Sequence, residues 1–174
     1  MSPSMLILLR LIHIVIGILW VGGIVFVTMF VLPSTRATGQ AGGVVMQDLM
    51  MVRKVPVYFM GAGLVTILSG LSLLWIDSAG FTTTWVASGP GRTFSLGAAF
   101  AIIALLLGAS INAPTAKKLA VLGATMQATA SPPAAGQIAE MERLRARLTM
   151  ATRAAAMLVL LAAACMASAR YVPA

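Results

Sequence analysis

The stretch MLILLRLIHIVIGILWVGGIVFVTMFVL, residues 5–32, carries one arginine, one histidine and one threonine in 28 positions and is otherwise apolar or glycine. About 20 predominantly apolar residues cross a bilayer core as a helix, so this run is long enough to span one. It is roughly twice the length of a signal peptide's apolar core and no small-residue cleavage site follows it, so it reads as a mature transmembrane helix. Working outward, residues 55–76, 93–111 and 154–169 form three further apolar runs, the last slightly short and borrowing Tyr171. Pro33, Asp77 and the triplet Asn112-Ala113-Pro114 are expected to end the first and second runs and to interrupt or kink the third. The expected fold is all-α: a polytopic four-helix membrane bundle forming one domain over residues 1–174. With 60% hydrophobic and 9% charged residues and a mean hydropathy of +0.98, the composition lies far from soluble averages.

A formal net charge of +8 raises the question of nucleic acid. The basic residues sit between the apolar runs and make no stripe interleaved with aromatics, so nucleic acid is not an expected partner. They read instead as topology signals and lipid-headgroup contacts. With four spans, the loops after the first and third share a side and carry Arg36, Arg53, Lys54, Lys117, Lys118, Arg143, Arg145, Arg147 and Arg153, leaving Arg10, Arg92 and Arg170 for the other. The positive-inside rule then puts the basic loops in the cytoplasm of a bacterial-type inner membrane, with both termini and the loop of residues 77–92 outside. Trp75, Trp85, Phe94 and Tyr171 fall at the expected outer interface and Tyr58 near the inner one.

The segment from Ser131 to Arg153 is more than a loop. Pro132 and Pro133 suit a helix start, and Ile138, Met141, Leu144, Leu148 and Ala151 recur at helical spacing, predicting an amphipathic helix over about 133–153 that can run into the fourth span. Glu140 and Glu142 precede Arg143, Arg145 and Arg147, an order that suits the helix dipole and gives the pairs Glu140–Arg143 and Glu142–Arg145. This helix is expected to lay a basic face on anionic lipid or to dock a partner. Residues 39–54 form a shorter version of the same arrangement. Small residues, namely Gly63, Thr66 and Gly70 on the second span and Gly97, Ala101, Ala104 and Gly108 on the third, predict close helix packing. No repeat relates the two pairs of spans, which disfavours an inverted-repeat transporter.

His13 is the one histidine. It lies about 8 Å from the midpoint of the first span, a depth at which an ionisable group is a candidate for function. Steps of three and four place Arg10, His13, Gly17, Trp20 and Ile24 on one stripe, expected to face protein. Gly17 would leave room for a flat cofactor beside the imidazole, and Arg10 would pair a propionate or a lipid phosphate. The alternative is a neutral His13 hydrogen-bonded to a serine, a threonine or a carbonyl of another span. The single Cys165 excludes an intramolecular disulfide or a cysteine-based metal site within one chain. Twelve methionines, with Met46, Met50 and Met51 at helical spacing, suggest copper through soft thioethers, although methionine also fills gaps in apolar faces. Asp48 and Asp77 lie at span ends or in loops, so neither is the intramembrane carboxylate of a proton relay. Catalytic triads, phosphate-binding glycine loops and paired carboxylates within the membrane are all missing from the sequence.

The run His13-Ile-Val-Ile-Gly-Ile-Leu-Trp20-Val-Gly-Gly23, followed by a basic loop and a second glycine-rich span, resembles the four-helix membrane proteins related to the copper-resistance D domain. A more distant resemblance is to the bacterial membrane-bound, haem-containing protoporphyrinogen oxidases. It covers roughly the first three spans. In the oxidases it implies haem b held by the first-span histidine, which His13 matches, and a lysine near the start of the third span, near which Arg92 stands instead. A guanidinium stays protonated and offers iron no lone pair. Bis-histidine haem would therefore need two chains, each giving His13, whereas five-coordinate haem needs one. Three functional expectations follow: a non-catalytic accessory, assembly or scaffold component of a membrane complex, associating with itself or with larger partners; a b-type haem protein or protoporphyrinogen-oxidising enzyme; and, more faintly, copper handling.

Overall fold

The computed structural model describes residues 2–129 and 132–173, and Ser131, where the extension was expected to begin, lies outside them. Among the described residues the fold is all helical, with four helical rods long and apolar enough to cross a membrane. This is the architecture of a multi-pass membrane protein. The elements are α1 (Pro3–Phe26), α2 (Leu32–Ala37), α3 (Gln40–Gln47), α4 (Val55–Asp77), α5 (Thr83–Ala87), α6 (Gly89–Leu107), α7 (Ala113–Ala128) and α8 (Ala135–Ser168).

Pro33 does not end its rod, and at the Asn112-Ala113-Pro114 triplet the α-helix is interrupted by a π-turn without ending. Wide π-helical turns at Val27–Val31 and Gly108–Asn112 join α1 to α2 and α6 to α7, making continuous rods over Pro3–Ala37 and Gly89–Ala128. Pro33 and Pro114 each stand two residues after such a turn. The wider turn absorbs the carbonyl that the proline ring would otherwise crowd. The fourth rod follows expectation: α8 runs unbroken through the amphipathic segment into the apolar one. At its start the Gln137 side chain accepts a hydrogen bond from the Ala134 N–H at 3.0 Å.

The bundle is built from two closely packed pairs, α1 with α4 and α6 with α8, joined along α4–α6 and α1–α8. In lipid, close packing takes over the role that hydrophobic burial has in water. At the centre, Trp20 is 3% exposed and packs with Ala104 and Val159, ringed by Ile24, Phe59, Ala101 and Leu105. Gly63 makes this possible, because a Cβ there would stand 2.8 Å from the Trp20 ring and 2.7 Å from Leu105. Ala104 and Thr66 are buried as their stripes predicted, whereas nothing approaches Gly108, whose place is in the π-turn.

The two ends of the bundle differ in charge. At one end Arg10 pairs with Asp77, and Gly89 lies against the backbone of Pro173, bringing both chain ends and the loop after α4 together. At the other end Arg36 crosses to Glu142 at 3.2 Å, while Arg53 pairs with Asp48, Arg143 with Glu140 and Arg145 with Glu142. All four acidic residues are thus engaged. Lys54, Lys117, Lys118, Arg147 and Arg153 at this end are without an acidic partner among the described residues.

Candidate functional site: the His13 cavity

His13 projects from α1 onto α4. Its Nδ1 lies 2.8 Å from the Thr66 carbonyl oxygen and 3.3 Å from Ser69 Oγ. A carbonyl oxygen only accepts, so Nδ1 carries the proton and donates to it. The Ser69 hydroxyl is directed to the Val65 and Thr66 carbonyls at 2.6 and 3.0 Å, leaving its lone pairs for the imidazole. In the neutral imidazole this bond selects one tautomer, the one with its lone pair on Nε2. A metal-binding histidine is usually held in this way, its second nitrogen fixed by a carbonyl or carboxylate.

Gly70 sets how deeply the ring sits. A Cβ at position 70 would lie 2.6 Å from His13 Cε1 and 3.0 Å from Nδ1, so the imidazole rests directly on the α4 backbone. The close-packing glycine in this site is therefore on the second span. Gly17, expected to leave space beside the ring, lies 3.4 Å (from its would-be Cβ) from the Thr66 methyl and belongs to the α1–α4 contact.

The ring borders a cavity of about 320 Å³ between α1, α4, α6 and α8. Its walls are mainly apolar, with Ile67, Phe94, Ala101 and Met166 among them, and Arg10, Asp77 and Arg170 supply its charge. Arg10 is paired with Asp77 at 3.5 Å, both side chains about 40% exposed (41% and 39%), so its first partner is a carboxylate within the chain. Arg170 has no acidic partner among the described residues. The sequence-predicted set therefore divides: Arg10 and His13 line this cavity, while Gly17 and Trp20 do not. Arg92, at the start of α6, is not in its wall either.

Asp77, Arg170, Phe94 and Met166 were not singled out as partners of His13. The signal for Asp77 was present, since Arg10 and Asp77 end adjacent antiparallel spans on the same side. Met166 and Phe94 had no signal in the sequence, because their placement depends on how α6 and α8 rotate against each other. Of the methionines, Met46 is buried, Met51 is half exposed, and Met46 and Met50 join Met60 in the wall of a different cavity. Among the described residues no group of three or more histidine, cysteine, aspartate or glutamate side chains could hold a metal ion.

The donor chemistry fits a single-histidine haem: a tautomer-fixed imidazole, apolar walls and an unpaired arginine for an anionic edge. The volume lies at the lower end of the roughly 300–1,000 Å³ typical of small-molecule sites. His13 would hold the iron and Arg170, with Arg10, the propionates. Bound haem would supply redox chemistry, and the chain's own contribution is to fix the imidazole. Comparison with protein-family models, curated proteins and solved structures finds no match for this chain.

Proposed function

We propose that this chain is a multi-pass protein of a bacterial-type inner membrane that binds haem b through His13. The observation that carries the reading is the 2.8 Å hydrogen bond from His13 Nδ1 to the Thr66 carbonyl at the edge of the apolar cavity. In the neutral imidazole this bond fixes the tautomer that leaves the lone pair on Nε2, at a depth where an ionisable side chain is costly without a purpose. One histidine per chain supports five-coordinate iron within a protomer, or a shared six-coordinate site in a homodimer. The nine-to-three division of basic residues supports placing the charged end in the cytoplasm and both termini outside. There the five unpaired cations face anionic headgroups. The absorption spectrum of detergent-purified protein from haem-replete cells tests the reading: a Soret band is expected, and a colourless preparation overturns it.

A second reading is a non-catalytic accessory or scaffold component of a larger membrane complex. It is favoured by α8, whose amphipathic half continues the fourth span as one rod and is tied to α2 through Arg36 and Glu142, giving a rigid surface at the charged end. Copper handling draws less support, because the three methionines singled out for it do not share one environment.

A further inference from the structure

The residues that α6 and α8 give to the His13 cavity are Phe94, Ala98, Ala101, Ile102, Met166 and Arg170. Of these, Met166 alone carries a lone pair that a metal ion can take, because the hydrocarbon side chains have none and a guanidinium stays protonated. On the α1–α4 side, Asp77 is engaged with Arg10 and the Thr66 hydroxyl donates to the Ala62 carbonyl at 2.8 Å. His13 Nε2 makes no hydrogen bond and is not among the polar atoms sealed from their surroundings. The cavity therefore offers one nitrogen donor from the first pair of helices and one sulfur donor from the second.

The two donors stand at similar depth. α1 begins and α8 finishes at the end of the bundle where Arg10 and Arg170 border the cavity. His13 is three residues deeper than Arg10, about 4.5 Å along the axis, and Met166 is four residues deeper than Arg170, about 6 Å. Each donor also lies over a glycine of the neighbouring helix. A Cβ at Gly97 on α6 would come within 3.1 Å of Met166 Cε, much as one at Gly70 on α4 would come within 2.6 Å of His13 Cε1. Methionine ordinarily serves to fill irregular gaps. Met166, only partly buried, instead borders about 320 Å³ of unfilled space.

We propose that Met166 is the second axial ligand of the haem that His13 holds, so that a single chain coordinates the iron through Nε2 and Sδ. The inference rests on the haem reading of this cavity. It provides six-coordinate iron within one protomer, with no second histidine, and leaves no open position on the iron for dioxygen or a substrate. A thioether opposite a histidine also raises the reduction potential of haem.

The test is the absorption spectrum and reduction midpoint of the haem-loaded full chain in detergent, for wild type, Met166→Leu and Met166→His. Wild type should be low-spin and show the weak far-red band of sulfur-to-ferric-iron charge transfer. Met166→Leu should still bind haem but turn high-spin and lose that band. Met166→His should stay low-spin, lose the band and have a lower midpoint than wild type. A high-spin wild type, or a low-spin spectrum that survives in Met166→Leu, would overturn the proposal while leaving the haem reading intact; the second result would point to His13 of another copy. A wild-type chain that takes up no haem overturns both. If Met166→Leu does not fold, wild type and Met166→His decide: the far-red band missing from the first, or retained in the second, refutes the assignment.

Discussion

His13 on the first membrane helix and Gly70 on the second are complementary: the imidazole occupies the space where any larger residue at position 70 would put its Cβ, 2.6 Å from Cε1. The ring is therefore positioned from two directions, by the Thr66 carbonyl accepting from Nδ1 and by the bare backbone of Gly70 beneath it. Gly70→Ala should push the ring off the helix. Overpacking of this kind costs about 1–3 kcal/mol. Loss of the group that orients a ligating histidine lowers affinity about 10–100-fold. Thermal unfolding and haem titration of Gly70→Ala should show both effects, and an unchanged titration would mean that the ring's seat is irrelevant to binding.

The Trp20–Gly63 contact governs the centre of the bundle. Gly63→Ala would place a methyl 2.8 Å from the indole and 2.7 Å from Leu105, with backbone on one side and two packed side chains on the other. A loss of about 1–3 kcal/mol is expected. Trp20→Ala, which empties a nearly fully buried position, should cost more, about 3–5 kcal/mol. Midpoints in a denaturant series in detergent give both values, and Gly63→Ala should be the milder.

The Arg10–Asp77 pair is expected to contribute little to stability. Both side chains are about 40% exposed (41% and 39%) and the separation is 3.5 Å. Asp77→Asn should therefore change unfolding by less than about 1 kcal/mol. Its effect should appear in binding, since releasing Arg10 adds an unpaired cation to the cavity and should tighten binding of an anionic ligand. A fall in haem affinity for Asp77→Asn would contradict the assignment of Arg10 and Arg170 to the propionates.

Orientation is open to cysteine labelling. In a Cys165→Ala background, a membrane-impermeant reagent added from outside should modify a cysteine at Thr83 and leave one at Ala134 untouched. The two positions belong to opposite ends of the bundle, so the reverse pattern would invert the topology without changing the fold.

The spans were legible because membrane helices announce themselves by length and apolarity, and the single rod of α8 was legible from Pro132, Pro133 and the spacing of Ile138, Met141, Leu144 and Leu148. Pro33 misled as a stop, whereas the triplet before and at Pro114 does mark an interruption of the α-helix. Pro33 ends a helix only if the preceding turn is α-helical, and nothing in the residues before it marks the wider turn that absorbs its ring. The stripe Arg10–His13–Gly17–Trp20 did face protein. It extends about 15 Å along the helix at 1.5 Å per residue, however, and so passes from one cavity through the core to another. What His13 meets at its own level depends on the register between α1 and α4, which the fit of Trp20 over Gly63 and of His13 over Gly70 fixes in three dimensions.

The most direct measurement is a haem titration of wild-type protein and His13→Ala, followed by absorption in the Soret region. Wild type should saturate with a shifted Soret band, at one haem per chain or one per two chains if His13 is shared, and His13→Ala should show only the spectrum of haem in detergent. Equal saturable binding by both proteins, or by neither, would contradict the assignment of His13 as the ligand.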